Sequence, residues 1–185
     1  MTSKGSGKSN YQSTPIVARL KKETRDCHSR IESLPYFKAL MEQKLQLECY
    51  VNQLRSLAVI HGVLEKEIVS SEDDRVLAIW DDSLKKFPLL EEDLKFFKSR
   101  IIFDALTSIE AALAMTGRIR LRRIENPVTL LGYLYVFEGS TLGNSKHRPD
   151  ISATYQLDAL NGCRYCASYQ DQVQSHWNRF SEKMN

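Results

Sequence analysis

From Pro15 onward the apolar residues recur every three or four positions, the interval that places them on one side of an α-helix. No stretch sustains the alternation expected of a half-buried strand. Ile16, Leu20, His28, Ile31 and Leu34 share one face and its edges, which predicts a first helix over 15–33 that Pro35 closes. Thr14 is its expected cap, with Pro15 as the first helical residue, because the missing proline N–H would have no intrahelical acceptor there. Phe37, Leu40, Met41, Leu45, Leu47, Leu54, Leu57 and Leu64 carry a second pattern over 36–68, with Gly62 as a weak point.

Residues 70–74 read as a turn in which Ser71 or Asp73 caps a short helix over 74–87, ended by Pro88. The next helix is expected over 91–116, acidic at its start and with Gly117 after its last apolar turn. Arg118, Arg120, Arg122 and Arg123 then read as a basic linker. Asn126-Pro127 repeats the cap-and-proline signature and opens a helix to 145, a short helix over 152–160 precedes the Asn161-Gly162 break, and Tyr165, Tyr169, Val173, Trp177 and Phe180 mark a last helix over 164–180. The expected fold is all-α and multihelical, a single domain over 14–185 of roughly six or seven helices, preceded by a flexible polar tail over 1–13.

Composition narrows the function classes. A chain of 185 residues suits one domain, and 26% charged residues with a mean hydropathy of -0.38 exclude a fibrous or disordered protein. A net charge of +3 is too small to signal nucleic-acid binding, though it does not repel an anionic ligand. The N-terminus lacks the apolar stretch of a signal peptide, and no run approaches the roughly 18–20 apolar residues of a membrane span, so no membrane insertion and a cytoplasmic location are expected. Cys27, Cys49, Cys163 and Cys166 are too few for a disulfide framework; the Cys163–Cys166 pair reads as packing, not as a metal or redox site.

The main anomaly is P-V-T-L-L-G-Y-L-Y-V-F-E-G-S-T-L-G-N over 127–144, where three glycines interrupt a helix its other residues favour. An interior glycine is worse than alanine by about 0.5–1 kcal/mol, so something should compensate. At helical spacing Gly132, Val136, Gly139 and Gly143 fall within a sector about 60° wide, nearly bare of side chains. Such a face serves close helix packing, or it receives a large flat ligand against the exposed backbone, with Ser140 at its edge as a hydrogen-bonding group.

Of four histidines, none belongs to a His-Glu-x-x-His or Glu-x-x-His motif, which weighs against zinc-protease and di-iron chemistry. His28 is distinguished by Glu32 one turn on, whose carboxylate can take the proton of one ring nitrogen and leave the other free. That is the arrangement of a single axial iron ligand, although spacing alone also fits a histidine simply paired with glutamate. Lys21, with Lys22 and Arg25 as alternatives, is placed to meet a carboxylate at the rim of a ligand. His61 reads as a buried structural residue, and His147 and His176 as solvent-facing residues near helix ends.

Together, T-R-D-C-H-S-R-I-E-S-L-P-Y-F at 24–37 and L-G-Y-L-Y-V-F-E-G-S-T-L-G at 131–143 resemble the bacterial branch of the haem oxygenases, and the similarity extends to Y-C-A-S-Y at 165–169 and W-N-R-F at 177–180. The resemblance implies a haem held between a proximal and a distal helix and serving as both substrate and prosthetic group. It implies His28 as the iron ligand, Glu32 as its supporting carboxylate, Lys21 near a haem propionate, and Gly139 and Gly143 as distal glycines. Ser140 with Tyr133 or Tyr135 would hold distal water, and Arg179 or Lys183 would be further propionate partners. Asn144 stands where relatives commonly carry another glycine. The implied reaction consumes haem, O2 and electrons and yields biliverdin, CO and ferrous iron, with ferredoxin or a flavin reductase as donor and a bilin-accepting protein as a further partner. A non-catalytic haem carrier and a helical interaction module without haem are the alternative readings.

Overall fold

The structure, a computed structural model, describes residues 14–100 and 106–185; the expected tail over 1–13 and part of the expected helix over 91–116 lie outside the described residues. The described chain is built from nine α-helices: α1 (Ile16–Glu23), α2 (Arg25–Glu32), α3 (Pro35–Met41), α4 (Leu47–Val69), α5 (Asp74–Ile79), α6 (Phe87–Phe97), α7 (Leu106–Glu125), α8 (Leu130–Tyr155) and α9 (Val173–Met184). Single 3-10 turns lie at Asp82–Leu84, Pro127–Thr129 and Gln170–Gln172. No strand forms among the described residues, where only isolated bridges from Asp158 to Asn161 and Gly162 are extended pairings.

Helix α4 is the centre of the bundle because its apolar residues occupy more than one face. Val51, Leu54, Leu64 and Ile68 are almost completely buried. Its C-terminal half joins Val76 and Ile79 of α5, Ile119 of α7, Leu130 and Leu134 of α8 and Phe180 of α9 in one apolar cluster. The N-terminal half joins Leu90 and Phe97 of α6, Ile151 of α8, and Leu157, Cys163 and Tyr165 in a second. All four cysteines are free, with Cys163 and Cys166 buried as packing residues.

The helix count exceeds the expected six or seven because several patterns are broken by local chemistry. The first helix divides at Thr24, whose hydroxyl donates to the Leu20 carbonyl at 2.8 Å. Pro15, extended at φ -50° and ψ 141°, flanks α1 in place of Thr14, and no side-chain cap forms. The pattern over 36–68 divides between α3 and α4 around Gln43, which takes a left-handed φ of 55°. Gly62 lies within an unbroken α4, where an added Cβ would meet the Phe87 ring at 3.1 Å.

Asp73 caps α5 as expected, accepting from the Arg75 N–H at 2.9 Å. The helix ends at Ile79, however, and Asp81 then captures the Ser83 N–H for a separate turn. Pro88 belongs to the first turn of α6, where its missing N–H is harmless. The cap of α6 comes from another helix: Glu65 Oε1 accepts from the N–H groups of Lys86 and Phe87 at 2.8 and 2.9 Å. Gly117 is interior to α7, and the arginines expected as a linker form its last turns, with Arg120 and Arg123 paired to Glu67 of α4 at 3.6 and 3.3 Å.

Asn126 caps the turn before α8, which runs ten residues beyond the expected end at 145 and absorbs the start of the helix expected at 152. It continues through Pro149 because its far end is anchored: Ile151 is buried, and the Tyr155 hydroxyl donates to the Leu45 carbonyl at 2.6 Å. His147 is therefore within a helix and half-buried. The expected helix over 164–180 starts only at Val173. Before it, Asp93 accepts from the N–H groups of Arg164 and Tyr165 at 2.8 and 2.9 Å, and Tyr169 and Gln170 adopt φ of 66° and 46°.

Candidate functional site

Helix α8 carries the bare strip, and the first three helices are tied to it at both ends. Near the start of α8, Tyr135 lies close to Thr24 at the α1–α2 junction. Further along, α3 packs on α8 and Gln43 Nε2 donates to Asp150 at 3.1 Å. These two anchor points on α8 are fifteen residues apart, about 22 Å at the helical rise. Helix α2 lies between them in sequence and buries none of its side chains.

The uncovered surfaces include apolar and side-chain-free positions beside the polar residues of α2. Ile31 on α2 and Leu34 just before α3 are 47% and 50% exposed, and on α8 Val136 is 53% exposed. Among the described residues, an added Cβ at Gly132 or Gly143 would meet nothing within 4 Å, while one at Gly139 would meet the six-membered ring of Trp177 at 3.6 Å. Ser140 is exposed at the strip's edge, its hydroxyl donating to the Phe137 carbonyl at 2.7 Å. Glycines whose Cβ positions are open have no packing reason to forgo alanine. That argues for a strip shaped to be approached by something other than the described protein.

His28 lies on exposed α2 with Nδ1 3.5 Å from Glu32 Oε1, and its Nε2 has no hydrogen-bond partner among the described residues. Also among the described residues, no three His, Cys, Asp or Glu side chains gather as a metal cluster. A lone imidazole with an adjacent carboxylate suits an ion whose other positions are filled by its own macrocycle, and the open strip suits a planar one. The residues present therefore fit haem.

The opposite side of α8 is held by a buried polar cluster. Lys86 Nζ donates to Glu138 Oε1 at 2.6 Å, to the Tyr169 hydroxyl at 2.7 Å and to the Leu84 carbonyl at 3.1 Å. The Tyr169 hydroxyl in turn donates to Glu138 Oε2 at 2.8 Å. Burial lowers the Lys86 pKa against the pull of Glu138, and burial followed by the Glu138 charge raises that of Tyr169. The Tyr169 ring stacks on His176 at 3.9 Å. Tyr165, whose phenol pKa burial raises, lies close to Ser140 and Asn144 and packs edge-on against His61. His61 is 3% exposed, as its structural reading requires, with Nδ1 3.4 Å from Glu65 and Nε2 unpartnered.

The residues expected at the site are thus distributed unevenly. Gly139, Gly143 and Ser140 share the middle of α8, with Tyr135 nearer its start and buried against Trp177 and Tyr133 half-buried in the core. Lys21, Lys22 and Arg25 are exposed around the α1–α2 junction. Arg179 donates to the Ser83 hydroxyl at 3.2 Å and Lys183 to Asp81 at 2.9 Å, so both are engaged with the segment before α6. His176 is half-buried in its stack on Tyr169 and not simply solvent-facing. Sequence reading missed Glu138, Lys86, Tyr165, Tyr169 and Trp177 as neighbours of the strip; the one local signal was a carboxylate set between Phe137 and Gly139 in an apolar run.

A family model described as "Heme oxygenase" matches residues 14–185. No curated protein matches the chain. Among solved structures, heme oxygenase-1 from the cyanobacterium Synechocystis sp. in complex with heme superposes with a TM-score of 0.80 at 19% identity, covering 93% of this chain and 79% of that one. Heme oxygenase from Leptospira interrogans gives 0.80 at 18% identity, covering 92% and 85%. Heme oxygenase-2 from Synechocystis sp. in complex with heme and NO gives 0.82 at 18% identity, covering 93% and 73%. At these identities the superpositions establish a shared fold.

Proposed function

Because the chain belongs to the haem oxygenase family, we propose that it binds haem between α2 and the glycine strip of α8 and cleaves it to biliverdin, CO and ferrous iron. The observation that carries this reading is the pairing, among the described residues, of open Cβ space at Gly132 and Gly143 with a histidine whose Nε2 has no partner. Bound there, haem would supply both the redox-active iron and the ring that is oxidised by O2 and donated electrons.

The protein's share of the work is placement and proton supply. His28 would hold the iron through Nε2, while Glu32 keeps the proton on Nδ1 and so fixes a neutral tautomer. Bare backbone at Gly139 and Gly143 lets α8 approach the ring closely, and Ser140, backed by Tyr165, offers hydroxyl groups for ordering water over it. Lys21, with Lys22 and Arg25 nearby, would neutralise the ligand's carboxylates and present a positive edge to a ferredoxin or flavin reductase. Lys21→Glu should weaken haem binding, and a loss of donor-supported turnover that persists at saturating haem tests the docking role.

The test of the function is anaerobic reconstitution with haem, followed by oxygen and reductant, read by absorption spectroscopy. The enzyme consumes the Soret band and produces biliverdin; a band that persists under the same conditions identifies a haem carrier instead. No haem-dependent change at all identifies a helical interaction module.

A further inference from the structure

We propose that Trp177 is a specificity-determining residue, a wall on one flank of Gly139 that directs oxidation to the edge of a bound ring turned away from it. The proposal rests on the haem reading above and adds to it the side chain that selects the product isomer.

The strip is asymmetric, and Trp177 is the reason. Of its three glycines, Gly132 and Gly143 face open space, whereas the Cη2 and Cζ3 atoms of Trp177 stand 3.6 Å from the Cβ position of Gly139. A flat ligand laid along the strip meets that indole on one side and meets no side chain at Gly143, one turn further on.

The wall is also rigid. Trp177 packs against Tyr135 and Phe180, each with ring centroids 5.8 Å away. Its neighbour His176 stacks on Tyr169 with rings 14° from parallel, and Tyr169 is hydrogen-bonded to Glu138. Glu138 immediately precedes Gly139 and is locked by the buried Lys86. The start of α9 is thereby fixed to the α8 segment that carries Gly139, and Trp177 cannot swing aside without giving up its packing on Tyr135 and Phe180. A side chain fixed in this way can bias a reaction between edges of a ring that are chemically alike.

The experiment compares wild type, Trp177→Phe and Trp177→Ala in two readouts. Biliverdin isomers formed from haem, oxygen and reductant are separated by chromatography. The haem-methyl proton resonances of the ferric complexes, which need no turnover, report how the ring is seated. The proposal expects one dominant isomer and one resonance set from wild type. Trp177→Ala should lower the isomer preference by about tenfold and show a second resonance set, with Trp177→Phe between them. Unchanged isomer ratio and seating in Trp177→Ala overturn the proposal, as does a mixture of isomers from wild type; if Trp177→Ala does not fold, the same criteria apply to Trp177→Phe. Wild type that seats haem without consuming it contradicts the enzymatic reading, while a single seating in wild type that doubles in the variants still supports the wall.

Discussion

Lys86 Nζ and Glu138 Oε1 stand 2.6 Å apart with both side chains 2% exposed, joining the segment before α6 to the middle of α8 directly behind the glycine strip. Removing one partner of such a pair leaves an uncompensated charge in a dry interior, which costs about 3–5 kcal/mol. Glu138→Gln is expected to lose stability on that scale in urea denaturation. The double variant Lys86→Met/Glu138→Gln should lose less than Glu138→Gln alone, because no buried charge is then left unpaired.

The glycines divide by what surrounds them. Gly132→Ala and Gly143→Ala meet open space and gain helix propensity, so each is expected to stabilise the haem-free protein by about 0.5–1 kcal/mol. Gly143→Ala should at the same time weaken haem binding, the signature of a position kept bare for a ligand. Gly162→Ala should do the opposite and destabilise by about 1–3 kcal/mol, since its φ is +85° and a Cβ would lie 2.7 Å from the Phe97 ring. Thermal melts with and without haem separate these outcomes.

His61 gives the fold a pH dependence with a defined sign. Burial lowers its pKa from the ordinary 6.5, against the partial support of Glu65. Between that ordinary value and the depressed native one, the unfolded chain binds more protons than the folded one, so stability rises with pH. The His61 contribution is full above about pH 6.5 and is lost as pH falls through the native value. Denaturation midpoints measured from pH 7.5 down to 5 should fall in wild type and fall less in His61→Phe.

The helical character and the strip itself were legible in the sequence because each depends on local periodicity. Gly132, Gly139 and Gly143 share a face by spacing alone, and His28 with Glu32 needs only one helical turn. Boundaries set by distant groups were not legible. Glu65 caps α6 from another helix, Asp93 holds the N–H groups of Arg164 and Tyr165 from 71 and 72 residues away, and Tyr155 anchors α8 through Leu45 beyond Pro149. The same applies to the site's support: Lys86, Tyr169 and Trp177 reach α8 only through tertiary packing.

The axial bond is the most direct measure of whether haem sits between α2 and α8. Resonance Raman spectra of the ferrous haem complex, taken without oxygen, should show an iron–histidine stretch in wild type, its loss in His28→Ala, and its return when imidazole is added. An unchanged stretch in a folded His28→Ala would place the iron on another residue and contradict the assignment of α2 as the proximal helix.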